Sequence, residues 1–344
     1  MNQPKQDGRD IDTAIASLSG EASQQRVQKE DEHHWQLVPQ VWSAVPSVQR
    51  EDPSYYDRPM LQAPAWLPVI PLYFFVGGAA GAAFALGAAA QLRRDRALDP
   101  FVQHCRWIGI AGSTLGAGLL IYDLGRPSRF LNMMRVFRPT SPMNIGSWIL
   151  AGAAPLAIAA GFFARQGRLA WLGEAAGYGS GLFGTGLAGY TGVLLANSAI
   201  PVWQEARRVL PVLFFASSMT SAASLLDLYY HEPRASGITF YFGTAGRVAE
   251  LAAAYGVERD VSRVVRVGQP LREGRSGKLW KTATMLTAAS LIVSLIPGQS
   301  RTRRRIAGIL GALGSLCLRF AVYDAGRASA RDPRASFQLQ RAGD

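Results

Sequence analysis

Asp123 closes an apolar stretch and is followed at once by Arg126 and Arg129, either of which can pair with it. A carboxylate at the edge of an apolar layer is costly to desolvate, so such a group is by default a candidate for proton handling or ligand contact. A second charged set, Asp227, Arg247, Glu250 and Arg319, falls inside other apolar stretches. Internal ion pairs account for this set, and so does a proton path through Glu250, Asp227 and Arg247; residue types alone leave both open. Tyr73, Tyr190 and Asn197 are polar groups in otherwise apolar runs. Their ordinary partner is a neighbouring helix, a bond worth about 0.6 kcal/mol.

Other chemistries find no residues. A membrane haem needs histidine pairs on facing helices, and the four histidines, His33, His34, His104 and His231, offer none. The two cysteines, Cys105 and Cys317, cannot ligate an iron–sulfur cluster, which takes about four. No catalytic residue and no metal-ligand set is assigned, and any redox cluster must belong to a partner.

The elements that must position these groups are apolar segments. Only 17% of the 344 residues are charged, against about 25% in soluble domains. Eight segments approach the roughly 20 apolar residues that cross a bilayer: 66–92, 102–124, 144–164, 169–199, 209–230, 238–255, 281–296 and 306–325. The sixth carries Arg247 and Glu250, so it crosses only as an interior helix. The organisation is thus an extramembrane, partly disordered tail over 1–60, a transmembrane domain over 61–330 and a C-terminal tail over 331–344. From Trp35 the tail turns aromatic, with Trp42, Tyr55 and Tyr56 placed to lie against a headgroup layer or a subunit.

The net charge of +12 comes from arginines in short connections. These read as topology signals and lipid-phosphate contacts rather than as a nucleic-acid surface. Arginine and lysine divide 12 against 10 between the two sides, with Arg165 and Arg168 on the poorer one and Arg341 in the tail. Positive-inside therefore places both termini in the cytoplasm. Glycines recur in the fourth segment, from Gly173 to Gly192, which suits close helix approach.

The connection 122–148 is the most informative stretch. Gly125 fits the position just past a helix and Pro127 stops continuation. Phe130, Leu131, Met134 and Phe137 recur near helical spacing among Arg129, Arg135 and Arg138, the pattern of a short amphipathic helix in the interface. Tyr122-Asp123-Leu124-Gly125-Arg126 is echoed by Tyr323-Asp324-Ala325-Gly326-Arg327 at the end of the eighth segment.

The run DLGRPSRFLNMMRVFRPTSPMNIGSW closely resembles the signature of the NrfD/polysulfide-reductase membrane-subunit family. PLYFFVGGAAGA (71–82), YTGVLLANSAIPVWQEAR (190–207) and FAVYDAGRASARDPRASFQLQR (320–341) are similar to it in the expected order, as is SYYDRPMLQAPAW before the first segment. The resemblance implies an all-α integral membrane protein, with eight transmembrane helices in two four-helix groups and no haem. It implies a quinone-reactive subunit in the bacterial inner membrane that binds menaquinone or ubiquinone and docks a [4Fe–4S] ferredoxin-like subunit. Through that subunit it often serves a molybdopterin oxidoreductase. Tyr190 matches the family's quinone-contacting tyrosine and Asp123 an acidic residue near that pocket; Tyr73 and Asn197 are further candidates. Arg126, Arg129, Arg135 and Arg138 then form a docking face for an acidic partner or lipid phosphate.

Two other classes compete. An ion-coupled secondary transporter favours helices broken at mid-membrane, whereas the strongest breaks here lie in a connection. A purely structural anchor for an oxidoreductase complex would use the same basic face.

Overall fold

The computed structural model describes residues 61–163, 166, 169–229, 232–298 and 300–336, together with four short N-terminal strands. Outside the described residues lie His33, Trp42, Tyr55, Tyr56, Arg165, Arg168, Tyr230, His231 and Arg341, and so do the side chains of Trp35 and Arg129. The N-terminal unit, Met1–Ser54, holds two antiparallel pairs: β1 (Ile11–Asp12) with β2 (Ser17–Leu18), and β3 (Val27–Glu30) with β4 (His34–Leu37). The second unit, Tyr55–Asp344, carries the helices.

Its helices are α1 (Val69–Leu92), α2 (Asp99–Asp123), α3 (Pro142–Phe163), α4 (Ala170–Ala196), α5 (Pro201–Glu205), α6 (Leu210–Leu226), α7 (Pro233–Val261), α8 (Val265–Arg272), α9 (Gly274–Leu295) and α10 (Arg301–Arg331). Each predicted segment has one long helix, and several begin earlier than the apolar run. Proline explains part of this: Pro100, Pro142 and Pro233 sit in the first turn of α2, α3 and α7, where the missing N–H has no intrahelical acceptor anyway. By length and composition, α1, α3 and α10 are long and apolar enough to cross a membrane, and α6 is a shorter apolar helix. Between α2 and α3 the expected short helix is present as a 3₁₀ helix, Pro127–Met134. Gly125 adopts φ +67° just past α2, as its position predicts. The helix then opens on Pro127, a residue suited to the first helical position, and ends at Met134, before Pro139.

The first four long helices pack in a ring, α1 on α2, α2 on α3, α3 on α4 and α4 on α1. The last four do the same in the order α6, α7, α9, α10. α1 and α4 meet α6, and α1 meets α10. At the α1–α4 seam a Cβ on Gly184 would lie 2.7 Å from the Gly81 carbonyl oxygen, so backbone touches backbone.

Candidate functional site

One end of the helices is braced around the start of α1. The Leu67 N–H donates to Asp123 Oδ1 at 2.8 Å, and the Tyr323 hydroxyl donates to the Trp66 carbonyl. Trp66 stacks on Trp203, with centroids 6.3 Å apart, and the Trp203 indole N–H donates to the Val322 carbonyl at 3.0 Å. Gly326 leaves room for that indole, since a Cβ there would enter the ring. The two Tyr-Asp-x-Gly-Arg exits therefore meet at one end.

The expected pairing of Asp123 with Arg129 falls on a side chain outside the described residues, and the bond to Leu67 adds a partner that the sequence did not suggest. That partner is a backbone N–H at the positive end of α1, where unsatisfied donors and the helix dipole both favour a carboxylate. After Gly125 the chain turns away, and Arg126 is exposed.

One to two turns below this end, Tyr73 and Tyr190 come together. Their phenols lie within electrostatic range of each other. Tyr73 is buried against Gly116 of α2, and the Tyr190 ring lies directly on Gly146 of α3. Counting along the helices puts these groups roughly 6–10 Å from the helix ends. Among the described residues neither phenol hydroxyl has a hydrogen-bond partner. The arrangement offers two donors buried among apolar helices, with a carboxylate nearer the helix end.

Asn197 does not join them. It is exposed and caps α4, its Nδ2 donating to the Val193 carbonyl at 2.9 Å. Arg135 and Arg138 are exposed on the connection with Arg126. Asn144 shapes that connection: its Oδ1 accepts from the Arg138 N–H at 2.7 Å, and its Nδ2 donates to the carbonyls of Met133 at 2.8 Å and Val136 at 3.0 Å.

The second charged set forms a buried file in the other ring. Arg247, Glu250 and Arg319 are 1%, 3% and 0% exposed. Arg247 donates to Ser290 Oγ at 2.7 Å and pairs with Asp227 at 3.4 Å; Arg304 reaches the other Asp227 oxygen at 3.6 Å. Removing one partner of such a buried pair costs about 3–5 kcal/mol. Glu250 accepts from Thr287 at 3.4 Å and Ser315 at 3.5 Å, with Ser217 and Thr220 beside it. Arg319 donates to the Phe214 carbonyl at 2.9 Å and Ser218 at 3.1 Å and lies 4.0 Å over the Phe214 ring. Among the described residues its Nε and Nη1 have no partner. The sequence reading missed the hydroxyls of this file, although Ser217, Ser221 and Ser224 recur at the spacing of one α6 face.

Two cavities open at opposite helix ends. One of about 360 Å³ reaches Asp227 and Arg247 past Arg303 and Arg304. The other, of about 540 Å³, lies among α8, the start of α9 and the end of α10. Neither is lined by Tyr73, Tyr190 or Asp123.

Apolar helices with polar groups held inside two rings define a multi-pass helical membrane protein. Residues 60–232 match the polysulphide reductase NrfD family, and the chain belongs to it. These are membrane subunits of oxidoreductases whose partners are iron–sulfur and molybdopterin subunits. No curated protein matches the chain.

Proposed function

We propose that this chain is the quinone-reactive membrane subunit of an oxidoreductase complex, crossing the membrane eight times. It exchanges electrons between the quinone pool, menaquinone or ubiquinone, and a [4Fe–4S] ferredoxin-like partner that serves a molybdopterin subunit. The observation that carries this reading is the Tyr73–Tyr190 pair, two phenols whose hydroxyls have no hydrogen-bond partner among the described residues. A quinone takes up two electrons with two protons, so its site needs donors for ring carbonyls and a titratable group towards water. Tyr190 and Tyr73 supply the donors. Asp123, at the helix end, passes protons, and its bond to Leu67 fixes its place. The partner docks on Arg126, Arg129, Arg135 and Arg138 at the same end. The arginine bias puts this end in the cytoplasm of a bacterial inner membrane.

The test is quinol-linked turnover of the detergent-purified complex. Tyr190→Phe removes one hydrogen bond to a developing charge and lowers turnover about tenfold or more. Asp123→Asn does the same by removing the relay. Both variants assemble with their partners and retain bound subunits. Wild-type rates in both defeat the assignment.

A second reading concerns the buried file. Asp227 pairs with Arg247, hydroxyls of α9 and α10 bond Arg247 and Glu250, and the 360 Å³ cavity gives one end of the file access to solvent. On this reading the file carries protons as quinone turns over.

A further inference from the structure

Arg319 belongs to the buried file, yet it also touches the other ring. It lies roughly 27 Å from the start of α10 and roughly 18 Å from its end. A Cβ on Gly78 would sit 3.4 Å from its Nη2, so the α1 backbone passes directly over the guanidinium. Gly78 is roughly 8 Å along α1 from Tyr73. Ser218, which accepts from Arg319 at 3.1 Å, lies 2.8 Å from the Ala188 carbonyl of α4, just before Tyr190. The Phe214 ring beneath the cation meets Phe74 at 6.0 Å, and Phe74 adjoins Tyr73. On the other side, Ser315, one turn earlier on α10, donates to Glu250 at 3.5 Å, and Arg319 and Glu250 are within electrostatic range.

Little else competes for this charge. α1 and α6 contain no charged residue, and Glu174 of α4 is exposed near the helix start. Arg319 is held through Nη2, while its buried Nε and Nη1 have no partner among the described residues. In low-dielectric surroundings such a cation responds strongly to negative charge nearby, because little screens it. Glu250 is one such charge, and a quinone reduced at the phenol pair is a second.

We infer that Arg319 is a positioning residue that couples the phenol pair to Glu250 by sharing one charge between them. The inference rests on the quinone reading of the Tyr73–Tyr190 site. An electron from the iron–sulfur partner makes the bound quinone negative and draws the cation towards it. Glu250, less well paired, takes up a proton that enters past Asp227. A second electron and two protons from the Asp123 side complete the quinol, the cation returns, and Glu250 gives its proton up.

The test is a redox titration of quinone bound to the detergent-purified complex, followed by its ultraviolet absorbance at neutral pH. By linkage, what the quinone does to Glu250, Glu250 does to the quinone. Glu250→Gln removes a negative charge and raises the quinone potential by about 30 mV, a tenfold change for a two-electron couple. In an Arg319→Gln background the same substitution leaves the potential unchanged, because a carboxylate buried without a cation keeps its proton in both redox states. Arg319→Lys restores the charge and with it the response. A merely structural Arg319 would give Glu250→Gln the same effect in all three backgrounds, and that result overturns the inference. An Arg319→Lys background without the response overturns it too. So does a potential that Glu250→Gln leaves unmoved in the otherwise wild-type complex, a measurement that needs no Arg319 variant to assemble. Wild-type turnover in Tyr190→Phe and Asp123→Asn defeats the quinone reading itself. A potential blind to Glu250 while those two variants remain slow defeats the coupling alone.

Discussion

Gly146 sets how closely the Tyr190 ring approaches α3, because any Cβ there would fall within the ring. Gly146→Ala therefore displaces the phenol without touching its chemistry. Overpacking of this kind costs about 1–3 kcal/mol, small enough for the helices to survive. Quinone affinity, measured by equilibrium binding to the purified subunit, falls about tenfold as the hydroxyl loses its acceptor. Retained affinity would exclude Tyr190 from the site. The sequence made Tyr190 and Asp123 visible as polar groups in apolar surroundings, and the family resemblance attached roles to them. It could not reveal the partner of Asp123, because a backbone N–H leaves no trace in residue type. Nor could it separate Asn197, which caps its own helix, from Tyr73, whose hydroxyl has no partner among the described residues: both are single polar residues in apolar runs.

Among the elements, α6 is the one whose pattern was underread. Its apolar content announced a helix, but the face bearing Ser217, Ser221 and Ser224 turns towards α7 and α10 rather than lipid, and Ser218 binds the α4 backbone at 2.8 Å. Long apolar helices were legible because burial in lipid leaves a run of apolar residues. The 3₁₀ connection and the short helices α5 and α8 were not, since their form depends on what they dock against. Val202, for one, donates to Ser329 of α10 at 3.3 Å. Within the α6–α7–α9–α10 ring, Glu250 is the carboxylate held by hydroxyls. Glu250→Gln keeps its volume and its acceptor but cannot give up a proton. In proteoliposomes the variant complex retains quinol-linked electron transfer and loses the associated proton movement. An unchanged proton-to-electron ratio would reduce the file to a structural ion-pair network, the other account of these charges.

At the scale of the whole molecule, everything turns on α7. Its 29 residues span about 44 Å, more than the roughly 30 Å of hydrocarbon, yet its composition does not mark it as a span. The charges that lower its hydropathy, Arg247 and Glu250, point inward and are bonded to α6, α9 and α10, so lipid never meets them. A helix whose charges are satisfied inside a ring crosses at little cost. With α7 crossing, the connections around Thr140 and Ala199 share one side, and those around Ala97 and Ser300 share the other. All four positions are exposed. After Cys105→Ser and Cys317→Ser remove the native thiols, single cysteines at these positions can be labelled with a membrane-impermeant reagent from each side. Thr140→Cys and Ala199→Cys react from one face, Ala97→Cys and Ser300→Cys from the opposite one. If Ser300→Cys reacts together with Thr140→Cys, α7 lies on the surface. Arg247 and Glu250 would then need partners other than those the ring provides, and the buried file could not reach across the membrane.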